Sequence, residues 1–178
     1  GRCWPYTYWP KLAEKQSDLI ESARRWTLVK ESFPHYSCGY KGLMAVCCLQ
    51  GKYDAAEAIY DQIKDQFPDD QRLLSKYAEI AELKNHYIEA SSRWTMFRHR
   101  FPDAPAGYRR GAEVLQKNGD LAQAETVLVQ AQEVFSNQAW PYVCLAELYE
   151  KKGDFSEAVR QWSTVKTRFP ALSRAYRG

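Results

Sequence analysis

Apolar residues recur along this chain at every third or fourth position, in short blocks, and the blocks themselves repeat. Tyr40, Leu43 and Cys47 stand at i, i+3 and i+7, and so do Tyr142, Leu145 and Tyr149. Phe155, Ala158, Trp162, Val165 and Phe169 continue the spacing over a longer stretch. Such spacing puts one apolar stripe on an α-helix. Two segments of about 13 residues, a helix length, fall in each repeat of the pattern.

The repeat is 34 residues long. Phe33, Phe67, Phe101, Phe135 and Phe169 are evenly spaced, and Pro follows all but Phe135, where Ser136 stands instead. Other columns keep the register: Ser22, Ala56, Ala90, Ala124, Ala158; Trp26, Tyr60, Trp94, Leu128, Trp162; Tyr40, Leu74, Tyr108, Tyr142, Tyr176. A last column, Ser17, Gly51, Asn85, Gly119, Gly153, predicts left-handed residues that end each first helix. Capping boxes are expected at Asp18-x-x-Glu21, Asp54-x-x-Glu57, Asp120-x-x-Gln123 and Asp154-x-x-Glu157. The Phe-Pro pairs should end each second helix, because proline disfavours helical geometry in the residue before it.

This pattern resembles the tetratricopeptide repeat. Tyr40, Leu43, Met44, Cys47, Ala56, Tyr60 and Pro68 fall on the family spacing, as do Tyr142, Leu145, Ala146, Tyr149, Ala158 and Trp162. Tyr replaces the family's first Trp, and the first helix lacks its usual Gly. The expected fold is all-α: a superhelical solenoid of antiparallel hairpins. A degenerate repeat over 1–36 is expected to precede repeats over 37–70, 71–104, 105–138 and 139–172, with a further helix starting over 173–178. Pro5 and Pro10 are expected to shorten the first helix. The aromatics Trp4, Tyr6, Tyr8 and Trp9 suggest a lid over the first hairpin, or a self-association patch.

A longer period of 68 overlies the first: Trp26, Trp94 and Trp162 recur on it, as do Tyr40, Tyr108 and Tyr176. The tryptophans occupy the large-aromatic core column. An array ending inside a hairpin exposes an apolar face, so the chain reads as part of a longer protein or as one completed by a partner. Its Arg-Trp and Arg-Phe-Pro elements are similar in style to bacterial arrays, some fused to glycosyltransferase domains.

The resemblance implies a concave groove lined by the first helices and a non-catalytic scaffold for a protein or peptide. The implied binding residues are Lys41, Arg72, Lys76, Glu79, Arg109, Arg110, Glu113, Trp140 and Glu147, with Arg174 and Arg177 extending the basic stripe. Lys76 with Glu79 and Arg110 with Glu113 can equally be ordinary i, i+3 surface pairs. Trp140 is either an exposed anchor or a residue packed on the preceding hairpin. Only Lys41 and Arg110 match the clamp with which chaperone-binding members grip a carboxylate. Ala45, Lys76 and Ala106 stand where Asn, Asn and Lys are needed, so that clamp is not expected.

Composition narrows the partners. The 178 residues are 45% apolar and 26% charged with a net charge of +3, which favours no nucleic acid. No stretch is apolar enough to insert in a membrane. The odd five cysteines, without C-x-x-C, argue against a disulfide framework or a zinc knuckle. Free thiols favour the cytoplasm over the periplasm. His35, His86 and His99 lack metal-site partners, and no nucleophile motif, P-loop or dinucleotide fingerprint occurs. No catalytic residue, cofactor or metal is expected; an accessory role beside an enzyme, or self-assembly through terminal hairpins, are the alternatives.

Overall fold

The computed structural model describes residues 4–170, with side chains from residue 6 onward. Among the described residues there are ten helices and no strand. They are α1 (Trp4–Lys15), α2 (Leu19–Ser32), α3 (Cys38–Leu49), α4 (Tyr53–Ile63), α5 (Gln71–Leu83), α6 (Tyr87–Arg100), α7 (Pro105–Lys117), α8 (Leu121–Val134), α9 (Trp140–Lys152) and α10 (Phe155–Arg168). The fold is an all-α helical repeat. The segment over 173–178, with Arg174, Tyr176 and Arg177, lies outside the described residues, as do Cys3 and the Trp4 side chain.

Each turn within a hairpin is built alike. Ser17, Gly51, Asn85, Gly119 and Gly153 all have positive φ, from 59 to 85°. The N–H of the residue after each of these bonds back to the carbonyl five residues earlier, at 2.8–3.0 Å in all five turns, as in Lys52 to Cys47 and Asp154 to Tyr149. This satisfies the last carbonyls of each first helix. Asp18, Asp120 and Asp154 then cap the second helices, accepting the N–H of Glu21, Gln123 and Glu157. Asp54 does not do so: the cap of α4 is Lys52, which shares the repeat position of Asp18 and Asp120. Asp54 sits two residues inside the helix and pairs with Lys84 at 2.9 Å. Phe33, Phe135 and Phe169 are C-caps, whereas α4 ends at Ile63, four residues before Phe67.

Proline does not shorten the first helix. α1 runs through Pro10 and is as long as α3, at 12 residues. Pro10 forfeits one backbone bond, and its ring is fully buried in return. Tyr6, Tyr8 and Trp9 are therefore part of a first helix and form no separate lid. Tyr6 packs on Phe33 at 4.9 Å between ring centres, and the Arg25 guanidinium lies 4.6 Å over Trp9.

The chain divides into two compact units between Arg93 and Trp94, within α6. In the first unit, α1 to α5 pack in chain order, each on the next, and α3 also touches α1 and α5. Trp26, Val29 and Val46 form its first core, with Leu43 and Phe33 around them. Further along, Arg93 is 5% exposed and donates to the Tyr77 carbonyl at 2.7 Å. It also pairs with Glu57 and Glu89 and lies 3.6 Å over the Tyr77 ring, which stacks on Tyr60. A buried cation is tolerable only with such complete pairing. In the second unit, Tyr108, Leu115, Leu128, Phe135, Leu145 and Leu148 share one core.

The small-residue column, Ser22, Ala56, Ala90, Ala124 and Ala158, is closed to solvent at every repeat. Of the three tryptophans, Trp26 and Trp94 are core. Trp162 is half-buried and sends its indole N–H to Glu150 at 2.7 Å.

Candidate functional site

The candidate surface is the face of the first helices. In the first unit, α1, α3 and α5 lie side by side, and their common face opens into a cleft of about 590 Å³. The floor is Gly42, Ala45 and Cys38 of α3, with Trp26 of α2 behind them. A Cβ on Gly42 would stand 2.0 Å from the Trp26 ring, so the indole packs directly against the α3 backbone.

The origin of the cleft is legible in the repeat columns. Gly42 shares its position with Lys76, Arg110 and Cys144, and Ala45 with Glu79, Glu113 and Glu147. In α5 and α7 these two positions hold ion pairs, Lys76 with Glu79 and Arg110 with Glu113, that lie along the helix. In α3 both side chains are cut back, and the cleft is the space left over.

Four cations line it: Lys11 from α1, Lys41 from α3, and Arg72 and Lys76 from α5. Two are engaged. Lys76 is paired with Glu79, and Lys41 binds Asp70 at 2.6 Å. Asp70 also caps α5, accepting the N–H groups of Arg72 and Leu73 at 3.0 Å each. Burial pushes the Asp70 carboxyl up, but hydrogen bonds from Lys41, Ser37 and the Leu73 N–H outweigh it and leave it below its ordinary value. Lys11 and Arg72 have no ion-pair partner among the described residues. The one carboxylate of the lining is Glu14, whose Oε1 accepts the Trp26 indole N–H at 2.7 Å and the Ser22 hydroxyl at 3.2 Å. A more open hollow of about 670 Å³, bounded by Phe67, Pro68 and Asp69, adjoins it and shares Lys41 and Arg72.

In the second unit, Arg110 pairs with Glu113 at 2.9 Å and Glu147 is exposed. The Arg109 guanidinium lies 5.1 Å over the Trp140 ring. Trp140 is half-buried, 5.4 Å from Phe135 of the preceding hairpin, and donates its indole N–H to Gln138. Its ring is thus packed on that hairpin and does not stand free.

The cleft contains Lys41, Arg72 and Lys76 from the residues singled out in the sequence. It adds Lys11, Glu14 and Gly42, and Trp26, which the sequence assigned to the core column and not to the binding face. The signal of the cleft was present: Gly42 and Ala45 stand at two positions that carry long charged side chains in α5 and α7.

Cys38, Cys47, Cys48 and Cys144 are half-buried, and burial pushes the thiols of the last three up from their ordinary value. All three histidines are exposed. Among the described residues no three His, Cys, Asp or Glu side chains cluster as metal ligands, and no helix is long and apolar enough to cross a membrane.

The model of the tetratricopeptide repeat family matches residues 44–70. No curated protein matches the sequence. Solved structures match the fold over nearly the whole chain. MamA (residues 41 to the end) from Desulfovibrio magneticus RS-1 has a TM-score of 0.70 at 11% identity, covering 95% of this chain and 96% of that one. YrrB, described as a TPR protein with an unusual peptide-binding site, gives 0.62 at 13%, covering 95% and 87%. PilF of Pseudomonas aeruginosa gives 0.70 at 15%, covering 92% and 75%.

Proposed function

We propose, for a chain that belongs to the tetratricopeptide-repeat family, a non-catalytic scaffold role in which the first helices hold a peptide or protein partner. The observation that carries this reading is the cleft of the first unit, where three successive first helices present cations above an apolar floor. Arg72 and Lys11 make no ion pair with the described residues, so their charges are available to a ligand. YrrB, similar in fold, is described as having a peptide-binding site, which supports the same use of the fold here. Arg109, Arg110, Glu113, Trp140 and Glu147 are assigned to the same role on α7 and α9. Fold alone fixes no function, so the assignment rests on the site.

The test is affinity capture with the chain as bait beside two charge-reversed versions, each first verified as helical. Lys76→Glu with Arg110→Glu alters the first helices, and Arg24→Glu with Lys64→Glu alters the second helices. A partner lost only from the first version supports the reading. A partner kept by both, or lost equally from both, sinks it.

A second reading has its own observation. Leu12 shares a repeat position with Val46, Ile80, Val114 and Leu148, which are all at most 1% exposed, yet Leu12 is 40% exposed. Tyr8 and Trp9 beside it are 68% and 44% exposed. This α1 face could join a second copy of the chain; sedimentation velocity over a concentration series, with Trp9→Ser and Leu12→Ser as the control, checks it. A strictly monomeric chain removes it.

A further inference from the structure

We infer that the α1–α3–α5 cleft is a pocket for one bulky apolar side chain presented by an acidic peptide segment, an inference that rests on the scaffold reading above. The floor supplies the first half of the argument. Gly42, Ala45 and Cys38 offer no charge, and the Trp26 indole backs them. At about 590 Å³ the space lies in the range that encloses a side chain together with its flanking backbone. In α5 and α7 the matching positions are filled by Lys76 and Glu79, or Arg110 and Glu113, whereas in α3 both are cut back to Gly42 and Ala45.

The rim supplies the second half. Lys11 comes from α1, Lys41 from α3, and Arg72 and Lys76 from α5, with α3 touching both of the other helices. Carboxylates flanking the inserted side chain would meet the two unpaired cations in charge-assisted hydrogen bonds. A basic segment would face four cations. The lining's one carboxylate, Glu14, is turned to the Trp26 indole and the Ser22 hydroxyl. The cations are spread over three helices, so they suit internal Asp and Glu residues on both sides of the anchor better than a single terminal carboxylate.

The experiment uses the whole chain and fluorescein-labelled peptides with acetylated and amidated ends, read by anisotropy at low salt. The probe is Gly-Asp-Glu-Leu-Asp-Glu-Gly. Its controls carry Asn and Gln for Asp and Glu, or Ala for Leu. The probe is expected to bind at least about tenfold tighter than either control. Lys11→Glu with Arg72→Glu should weaken it at least about tenfold. Ala45→Leu, which fills the floor, should erase the preference for Leu over Ala, and Lys64→Glu, at the C-cap of the second helix α4, should change nothing. Circular dichroism verifies that each variant is folded. Equal binding of the Asn and Gln peptide, unchanged affinity in the folded Lys11→Glu, Arg72→Glu protein, or no binding at about 1 mM protein overturns the inference. If the first helices still capture a partner in the affinity experiment, only this pocket is lost; if they do not, the scaffold reading falls with it.

Discussion

Trp162 gives its indole N–H to Glu150 at 2.7 Å, and Trp26 makes the same bond to Glu14 at the same distance. In each case the carboxylate lies twelve residues before the indole, on the first helix of the hairpin. The bond thus recurs at two of the three tryptophans on the 68-residue period, and the intervening hairpins carry Tyr60 and Leu128 at that position and have no indole to satisfy.

The two bonds should differ in worth. Trp26 is 3% exposed, so Glu14→Ala leaves a buried N–H and the buried Ser22 hydroxyl without their acceptor. The expected loss is about 1–3 kcal/mol, largely restored by Glu14→Gln. Glu150→Ala should lose under about 1 kcal/mol, because the half-buried Trp162 can turn its N–H to water. Urea denaturation of the three variants checks this; equal losses at the two sites would contradict it.

Gly42→Ala is expected to destabilise by about 1–3 kcal/mol, because the new methyl meets an indole that is itself buried, at 3% exposed. The added Cβ would lie 2.0 Å from the ring. Gly51 is a contrast, with nothing within 4 Å of its added Cβ and a φ of +71°. Gly51→Ala should therefore cost only about 1 kcal/mol, through backbone strain. The Trp26 emission should shift in Gly42→Ala and stay unchanged in Gly51→Ala.

Ser17 takes the left-handed conformation, with φ 61°, at a position that is Gly in three of the other four turns. Ser17→Gly should raise stability by about 0.5–1 kcal/mol. A lower denaturation midpoint would mean that the serine side chain holds the turn in some other way.

Much of this fold was legible in the sequence, because every hairpin must solve the same two problems. A chain reversal needs a left-handed residue, and a close helix contact needs a small one, so those columns keep their composition. Two expectations failed where a residue type matched the pattern at the wrong offset. Asp54 looked like a cap two positions from the true capping column, and Pro10 looked like a breaker although its ring is buried. The cleft was harder to see, since it is made by side chains that are missing at Gly42 and Ala45, and periodicity reports what recurs. Arg93 and Glu14 were equally hidden. Their burial depends on Glu57, 36 residues away, and on Trp26, on another helix.

Asp70 gives the array a defined acid sensitivity. Its carboxyl is held below its ordinary value of 3.8, so the folded state resists protonating it. The stability this contributes is complete above the unfolded value and is lost as pH falls through the lower folded one. Asp70→Asn keeps a good N-cap but removes the charge that binds Lys41. The wild type should exceed it in stability at pH 6, and the gap should narrow below about pH 4. A gap that is the same at pH 6 and pH 3 would show that the ion pair contributes nothing.

The cations of the cleft should separate into structural and free ones. Lys41 holds Asp70, and the two side chains are only 24% and 19% exposed. Lys41→Ala should therefore cost about 1 kcal/mol, more than a solvent-exposed pair would. Lys11→Ala and Arg72→Ala break no ion pair among the described residues, and each should stay within about 0.5 kcal/mol of the wild type. Together they could even stabilise slightly, by relieving repulsion among four like charges around one cleft. Thermal denaturation at low and high salt measures both effects, since repulsion between exposed charges fades with screening. If the Lys11 and Arg72 variants lost as much as Lys41→Ala, the two residues would be part of the framework. If they are neutral for stability, the framework does not depend on them, and both charges stay available to a ligand's carboxylates.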